Sequence, residues 1–243
     1  MSIEIAGQTA LITGAAKRLG RAIAERLADE GINVIVHYRR SREEAEAAAK
    51  DLSQRGVRAW TVAADLEKPE EAERLVEQAW QCSGGFSILI NSASIFEKGP
   101  LMDTSYESFI RHLTTNAWAP LAIARAFARK VAAGQVVNLL DARVGGYNFT
   151  HAAYFLSKRM LEYLTRHLAL ELAPAFRVNA VAPGLILPPA GEGPDYLDRL
   201  TDTVPLKAHG EPKDVADAVV YLLKGGFVTG QTLFVDGGRH LRD

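Results

Sequence analysis

The sequence lacks most of the features that would point away from an ordinary globular protein. It has one cysteine, Cys82, which excludes an internal disulfide and a cysteine-based metal site. No stretch approaches about 18 uninterrupted apolar residues, and the start Met-Ser-Ile-Glu-Ile has no basic region followed by an apolar run. The formal net charge of −1 offers no bulk attraction to nucleic acid or to an anionic membrane. We therefore expect a cytoplasmic protein with neither kind of partner.

The chain does contain short β-rich apolar runs that alternate with longer helical segments. Continuous apolar strands are typical of a parallel sheet with helices on both faces. No linker or repeat interrupts the 243 residues, so we predict a single domain over residues 1–243. The pattern predicts an α/β, doubly wound Rossmann fold with a seven-stranded parallel sheet. The predicted strands are Thr9–Thr13, Asn33–Tyr38, Ala59–Ala63, Ile88–Asn91, Gln135–Leu140, Arg177–Val181 and Thr232–Val235, and the predicted helices lie near 17–30, 41–55, 69–83, 105–132, 152–173 and 212–223.

Residues 8–41 hold the first candidate ligand site, a strand followed by a glycine turn, a helix and a second strand. The turn is Thr13-Gly14-Ala15-Ala16-Lys17-Arg18-Leu19-Gly20. A helix that starts at such a turn has unpaired N–H groups, which suit a phosphate. A turn without a ligand is the alternative for these eight residues alone, and the surrounding βαβ pattern favours a nucleotide.

The end of the second strand predicts which nucleotide binds. In dinucleotide-binding folds this position meets the adenosine ribose, and an acid there holds the 2′-hydroxyl of NAD. Here the strand ends in His37-Tyr38-Arg39-Arg40-Ser41, with no acid before Glu43. Guanidinium groups match phosphate oxygens in a bidentate manner. We therefore predict NADPH as the cofactor, with Arg18, Arg40 and Ser41 at its 2′-phosphate.

Tyr154 and Lys158 form a candidate catalytic pair. They are four residues apart in a predicted helix, so they share one face. We expect the Lys158 ammonium to lower the pKa of Tyr154 and to make the phenol a proton donor near neutral pH. A surface pair is the alternative for the spacing alone. The preceding strand, however, leads to Asp141, and ligands of open α/β sheets bind at the carboxyl ends of strands, where Asn91 and Pro183-Gly184 also lie.

Taken together, these segments resemble the short-chain dehydrogenase/reductases over essentially the whole chain. The resemblance implies that Tyr154 is the catalytic acid, that Lys158 tunes it and holds the nicotinamide ribose, and that Asn116 supports a proton-relay water. It is carried by the glycine turn, Asp65, Asn91-Ser92-Ala93-Ser94, Asn116, Tyr154 with Lys158, Pro183-Gly184, Val228-Thr229-Gly230-Gln231-Thr232 and Val235-Asp236-Gly237-Gly238. The implied cofactor-binding residues are Gly14, Arg18, Leu19, Gly20, His37, Tyr38, Arg39, Arg40, Ser41, Asp65, Leu66, Asn91, Ala93, Ser94, Tyr154, Lys158, Pro183 and Gly184.

Asp141 departs from the general family pattern, which usually has a serine 13 residues before the catalytic tyrosine. In this respect the chain resembles the pteridine reductases and bacterial dihydromonapterin reductases. Their arginine-containing turn, basic strand end, Asn91-Ser92-Ala93-Ser94-Ile95-Phe96 and Asp236-Gly237-Gly238-Arg239-His240-Leu241-Arg242 have counterparts here. The resemblance implies NADPH-dependent reduction of a dihydropterin to a tetrahydropterin, with dihydrofolate as a further substrate. Ser94, Phe96, Asp141 and Tyr154 would bind the substrate, with Asp141 relaying a proton and Phe96 stacking on the pterin.

Other interpretations of these residues remain open at this stage. Asp141 could be a helix or turn cap, and Phe96 a core residue. A carbonyl reductase of 3-oxoacyl thioesters is the main alternative function, although a carboxylate repels a developing oxyanion unless it is protonated. A non-catalytic dinucleotide sensor is the third, and it would have no need of a tuned phenol.

Three further expectations concern the loop, the histidines and the assembly. Residues 185–209 hold Pro188, Pro189, Gly191, Gly193, Pro194 and Pro205, which favour a substrate-binding loop without long regular structure. His151 and His167 lack metal-ligand spacing and are expected to be solvated or to cap helices, so no metal is predicted. The family resemblance implies a homotetramer in which the helices near 105–132 and 152–173 pair. These helices carry the apolar residues Phe109, Leu113, Trp118, Phe155, Tyr163 and Leu164.

Overall fold

A computed structural model of the protein describes residues 3–189, 191–193 and 195–242. Its sheet has seven strands, all parallel, in the order β3-β2-β1-β4-β5-β6-β7. The predicted doubly wound α/β fold is therefore confirmed. The strands are β1 (Thr9–Ile12), β2 (Asn33–Tyr38), β3 (Ala59–Ala63), β4 (Ile88–Asn91), β5 (Gly134–Leu139), β6 (Phe176–Pro183) and β7 (Thr232–Val235).

Helices cover both faces of the sheet. Strand residues alternate between two buried clusters, because successive side chains of a strand point to opposite faces. Ile12 faces the cluster beneath α1 and α8, and Leu11 faces the cluster beneath α3 and α5. Burial on both faces explains the continuous apolar runs. The helices are α1 (Arg18–Asp29), α2 (Arg42–Gln54), α3 (Pro69–Ser83), α4 (Tyr106–Leu113), α5 (Ala119–Lys130), α6 (Ala152–Glu171), α7 (Asp195–Asp198) and α8 (Pro212–Lys224).

The prediction of one continuous helix near 105–132 is wrong in one respect, because the α-helix is interrupted at Asn116. A π-helical turn, Thr114–Trp118, separates α4 from α5. Pro120 stands in the first turn of α5 and has no N–H with which to pair the Asn116 carbonyl in the α-helical pattern. Such π turns are frequent at functional sites. The interruption places Asn116, which is fully buried, beside α6, the helix that contains Tyr154 and Lys158.

The predicted loop over 185–209 contains only short pieces of helix in its described part. These are α7 and the turn Thr201–Thr203, so the expectation that long regular structure is absent holds for the described residues. Ala190 and Pro194 lie outside the described residues. Further single turns occur at Leu101–Asp103, Ala142–Val144 and Arg239–Arg242. In the described part of the chain, no helix is both long and apolar enough to span a bilayer.

Candidate active site

The glycine turn between β1 and α1 is held by a buried histidine. The Gly14 N–H donates to His37 Nδ1 at 3.0 Å, so the ring proton lies on Nε2, which donates to the Ala64 carbonyl at 3.1 Å. His37 is 2% exposed, and burial lowers its pKa to about 4. The ring is therefore neutral at pH 7. His37 was predicted to bind the cofactor, but both of its ring nitrogens are used to fix the turn and the end of β3.

Close backbone approach at this turn explains why glycine is needed. A Cβ on Gly20 would lie 2.4 Å from the Gly14 carbonyl oxygen, and Gly14 itself has a φ of +68°. Such approach leaves space for a phosphate over the start of α1. The space at Gly14 and Gly20 that side chains would otherwise fill, with Arg18 beside it, fits the diphosphate of a dinucleotide.

Gly20→Ala is expected to destabilise the protein by roughly 1–3 kcal/mol, because the new methyl group would overlap the Gly14 carbonyl. NADPH affinity should fall with it. Thermal unfolding and NADPH titration measure the two effects. Gly145→Ala is the matched control, because no atom lies within 4 Å of its Cβ position. Equal stability of the two variants would contradict the explanation.

A cleft of about 380 Å³ opens at the carboxyl ends of β1, β2, β3 and β4. Such a volume is within the usual range for cofactor sites. The predicted residues that line it are Gly14, Arg18, Leu19, Gly20, His37, Arg39, Asp65, Leu66, Ala93 and Ser94. Lys17, Ala64, Glu67, Ser92, Ile95 and Thr115 also line it and were not predicted. The cleft lining does not include Tyr38, Arg40, Ser41, Asn91, Tyr154, Lys158, Pro183 or Gly184.

Two arginines that line the cleft, Arg18 and Arg39, and the neighbouring Arg40 differ in their partners. Arg39 forms an ion pair with Glu67 and lies 3.7 Å from Asp65, so its charge is already balanced. Arg40 is exposed and has no ion pair with any of the described residues. Arg18 has a φ of +54° and donates from Nη2 to the Pro188 carbonyl at 2.6 Å. Arg18 therefore links the glycine turn to the start of the substrate-binding loop.

The side chain of Asn91, which was predicted to lie near the cofactor ribose, has a structural role beneath the site. Its Nδ2 donates to Asn138 Oδ1 at 2.8 Å, and Asn138 Nδ2 donates to Thr165 Oγ1 at 2.9 Å. These buried amides tie β4, β5 and α6 together beneath the site. Thr13 Oγ1 accepts from the backbone N–H groups of Ser92 and Ala93, both at 3.0 Å. These structural roles of Thr13 and Asn138 were not predicted, although both are polar residues at the ends of apolar strands.

Asn116 positions the loop after β4 against α6. Its Oδ1 accepts from Ile95 N at 2.9 Å and Ser94 Oγ at 3.1 Å. Its Nδ2 donates to Ile95 O at 3.0 Å and Ser157 Oγ at 2.9 Å. Both N–H groups of the amide are therefore used, so the side chain acts as a bridge. Any support that Asn116 gives to a water must come from its backbone.

Asp141, Tyr154 and Lys158 converge where β5 ends and α6 begins. The Tyr154 hydroxyl donates to Asp141 Oδ2 at 3.1 Å, and Asp141 Oδ1 accepts from Arg143 N–H at 2.9 Å. Lys158 Nζ donates to the Leu139 carbonyl at 2.7 Å and lies 5.7 Å from the centroid of the Tyr154 ring. Asp141 thus caps the turn Ala142–Val144, and it also contacts the Tyr154 hydroxyl.

The expected lowering of the Tyr154 pKa was wrong for this arrangement. Burial and then the Asp141 carboxylate raise the pKa of Tyr154 well above its ordinary value. Lys158 lies beside the ring and is held by a carbonyl, and burial lowers its own pKa to about 8. Burial also raises the pKa of Asp141. Hydrogen bonds from Arg143 N–H and Tyr154 and the charges of Lys158 and Arg239 lower this pKa, but burial is the larger effect. The carboxyl therefore retains its proton to a higher pH than an exposed aspartate does.

Phe96 projects from the loop after β4 and is 44% exposed, so the alternative of a core residue does not apply. Its ring stacks on His151, with centroids 4.1 Å apart and planes at 8°. It also makes a T-shaped contact with Tyr154, with centroids 4.6 Å apart. His151 was expected to be solvated or to cap a helix, and its ring instead contacts Phe96. Among the described residues, no three His, Cys, Asp or Glu side chains are arranged to hold a metal ion.

The sequence is similar to a family model and to proteins of known family. A family model described as enoyl-(acyl carrier protein) reductase matches residues 14–240. The 3-oxoacyl-[acyl-carrier-protein] reductase FabG of Staphylococcus epidermidis is 31% identical over 242 residues, which cover 96% of this chain and 99% of the relative. This chain belongs to the short-chain dehydrogenase/reductase family.

Solved structures of the family support the cofactor. FolM alternative dihydrofolate reductase 1 from Brucella canis, complexed with NADP, is 36% identical with a TM-score of 0.93, over 98% of this chain and 96% of that one. A short-chain dehydrogenase from Burkholderia cenocepacia in complex with NADP is 30% identical with a TM-score of 0.91, over 98% and 99%. The present short-chain dehydrogenase/reductase is thus an NADPH-dependent oxidoreductase.

Proposed function

We propose that this enzyme reduces pterins, converting a dihydropterin to a tetrahydropterin and acting on dihydrofolate as well. The observation that carries the proposal is the contact of Asp141 Oδ2 with the Tyr154 hydroxyl at 3.1 Å. Reduction of a ring C=N bond needs a hydride on carbon and a proton on nitrogen. A carboxyl whose pKa is raised by burial can hold that proton beside the catalytic hydroxyl.

Each residue of the site then has a distinct role. Bound NADPH supplies the hydride. Tyr154 donates a proton to the substrate, and Asp141 returns a proton to Tyr154 through the hydrogen bond between them. Lys158 faces the Tyr154 ring and would hold the nicotinamide ribose, while Asn116 keeps Ser94 and Ile95 in place against α6. Phe96 offers a flat apolar face to the substrate.

A solved relative supports the same substrate class. The Brucella canis and Brucella suis proteins of 36% identity are both called FolM alternative dihydrofolate reductase 1. Dihydrofolate contains a dihydropterin ring, so this name agrees with the chemistry that Asp141 suggests.

The second candidate is a reductase of 3-oxoacyl thioesters. It is favoured by the FabG relatives, which are 31% identical over nearly the full chain. Reduction of a ketone creates negative charge on its oxygen, and a neutral donor stabilises that charge better than a carboxylate. Asp141 therefore counts against this function when it is ionised.

One experiment separates these functions from a sensor that binds NADPH without turnover. NADPH oxidation is followed with the purified protein alone and then after the addition of dihydrobiopterin, dihydrofolate or an acetoacetyl thioester. Faster oxidation with the two pterins than with the thioester is the expected result. Preference for the thioester would establish the second candidate, and NADPH binding without oxidation of any substrate would establish the sensor.

The enzyme is further proposed to be a cytoplasmic homotetramer, assembled through the helices α4 to α6. Leu156, Met160 and Tyr163 lie on one face of α6 and are 41%, 45% and 67% exposed, and Trp118 is 42% exposed. Phe155, which was assigned to this surface from the sequence, is 7% exposed and packs on Tyr154 instead.

Light scattering after gel filtration is expected to give the mass of a tetramer at micromolar concentration. Met160→Glu should shift the mass to that of a smaller species, because it places a charge in the apolar row of α6. Tyr221→Glu is a control on α8, where Tyr221 is 61% exposed, because the buried residues of α8 belong to the cluster on the other face of the sheet from Leu168 and Ala169 of α6. A monomeric mass for the native protein would refute the proposed assembly.

A further inference from the structure

The ring of Phe96 is held in place by a histidine that has no assigned role in the reaction. His151 lies nearly parallel to Phe96, with planes at 8° and centroids 4.1 Å apart. Aromatic pairs at this separation contribute more than their buried area alone. One part of the Phe96 ring is therefore covered by His151 and another meets Tyr154, while 44% of the side chain stays exposed.

His151 is itself fixed by several contacts at the start of α6. Its backbone N–H donates to Asn148 Oδ1 at 2.8 Å, and His151 pairs with Gly99 in an isolated parallel bridge. Its Nδ1 lies 2.9 Å from Thr150 Oγ1, which in turn lies 3.0 Å from Asn148 Oδ1. His151 precedes α6 but makes no side-chain capping bond. Its ring is thus oriented toward Phe96 without serving the helix end.

The charge state of His151 suits a contact between two neutral rings. Burial lowers its pKa, and the nearby charges of Lys98 and His112 lower it further. The imidazole is therefore neutral at pH 7, and its face packs on the phenyl face as another aromatic ring would. Removal of the imidazole would free the Phe96 ring to rotate, and a substrate would then have to order it on binding.

We infer that His151 is a positioning residue that determines substrate specificity, because it holds Phe96 in one orientation for stacking on a flat heteroaromatic substrate. The inference rests on the proposed pterin reduction. A pterin presents a planar bicyclic face that gains from a fixed phenyl ring. A 3-oxoacyl thioester has a flexible chain with no such face, so it gains little from the orientation of Phe96.

The test compares four proteins: native, His151→Ala, His151→Phe and His167→Ala. His151→Phe keeps a ring that can stack but cannot titrate. His167 is the matched control, because it stacks on Tyr163 of the same helix with centroids 5.6 Å apart. It lies 16 residues beyond His151, about 24 Å along the helix axis. For each protein, kcat and KM are measured with dihydrobiopterin and an acetoacetyl thioester, together with the Kd of NADPH.

His151→Ala is expected to raise the KM for dihydrobiopterin by roughly 3–10-fold, with kcat, the KM for the thioester and the Kd of NADPH unchanged. His151→Phe should restore the KM, and His167→Ala should behave as native protein. An equal effect on both substrates, a loss of NADPH affinity, or failure of His151→Phe to restore the KM would overturn the inference. An unchanged KM in His151→Ala would overturn it while leaving pterin reduction intact. Failure of the proposed function shows separately, as no pterin turnover by the native protein.

Discussion

Replacement of Asp141 by alanine is expected to lower pterin turnover by about 10²–10⁴-fold, the usual effect of losing a positioned acid or base. The physical reason is the loss of the carboxyl that lies 3.1 Å from the Tyr154 hydroxyl. NADPH affinity should be unchanged, because the cofactor cleft is lined by residues of other segments. Turnover of dihydrobiopterin and NADPH titration measure the two quantities. Unchanged pterin turnover would reduce Asp141 to a cap of the turn Ala142–Val144.

Asp141→Asn separates the acid from the cap. An asparagine oxygen can still accept from Arg143 N–H, so the turn keeps its hydrogen bond, whereas alanine loses it at a cost of about 0.5–2 kcal/mol. We expect Asp141→Asn to be nearly as inactive as Asp141→Ala but more stable to heat. Asp141→Ser, which restores the usual family residue, should remain poor on pterins and gain slight activity on the thioester. Full pterin activity in Asp141→Asn would contradict the role of the acid.

Pterin turnover is also expected to depend on the protonation of Asp141. Burial raises the pKa of its carboxyl, so the proton is retained to a higher pH than in an exposed aspartate. Because the protonated form supplies the proton, turnover should fall as the pH rises through this pKa. The groups that face the carboxyl are Tyr154, Lys158 and Arg239. Lys158, with a pKa of about 8, also loses its proton as the pH rises. The pH profile of Asp141→Asn therefore shows which part of the fall in turnover is due to the carboxyl.

Arg40→Asp is the second change with a large expected effect, a loss of NADPH affinity of about 1.5–3 kcal/mol, or roughly 10–150-fold. Arg39 is balanced by Glu67 and Asp65, whereas Arg40 is exposed and has no ion pair with the described residues. Ser41 beside it makes no capping bond to α2, so its hydroxyl is available to the same phosphate. NADH carries no 2′-phosphate, and its affinity should change far less.

Fluorescence titration with both cofactors checks this prediction. Arg42→Asp is the matched control, because Arg42 is the next arginine along the chain and is ion-paired with Glu46 at 2.8 Å. It should affect NADPH and NADH to the same small extent. Equal affinity of the native protein for the two cofactors would contradict the assignment of the 2′-phosphate to this strand end.

The fold and the order of its helices and strands along the chain follow from the sequence alone. Strands buried on both faces need apolar side chains on both faces, so runs such as Ile88-Leu89-Ile90 of β4 can be identified without a structure. The glycine turn was equally visible, because close backbone approach admits no other residue at Gly20. The pair Tyr154 and Lys158 followed from helical spacing, and Asp141 from its position before Tyr154.

The surroundings of each of these groups, in contrast, are established only in the folded protein. The pKa of Tyr154 is raised first by burial and then by the Asp141 carboxylate, which accepts from its hydroxyl at 3.1 Å, and both effects need segments that are separate in sequence to pack together. The same holds for His37, whose ring connects Gly14 with Ala64, and for His151, whose ring reaches Phe96 across 55 positions of sequence. Periodicity and spacing report local conformation. Burial, charge contacts and ring stacking arise between distant segments, and they exist only once the sheet has brought the strand ends together.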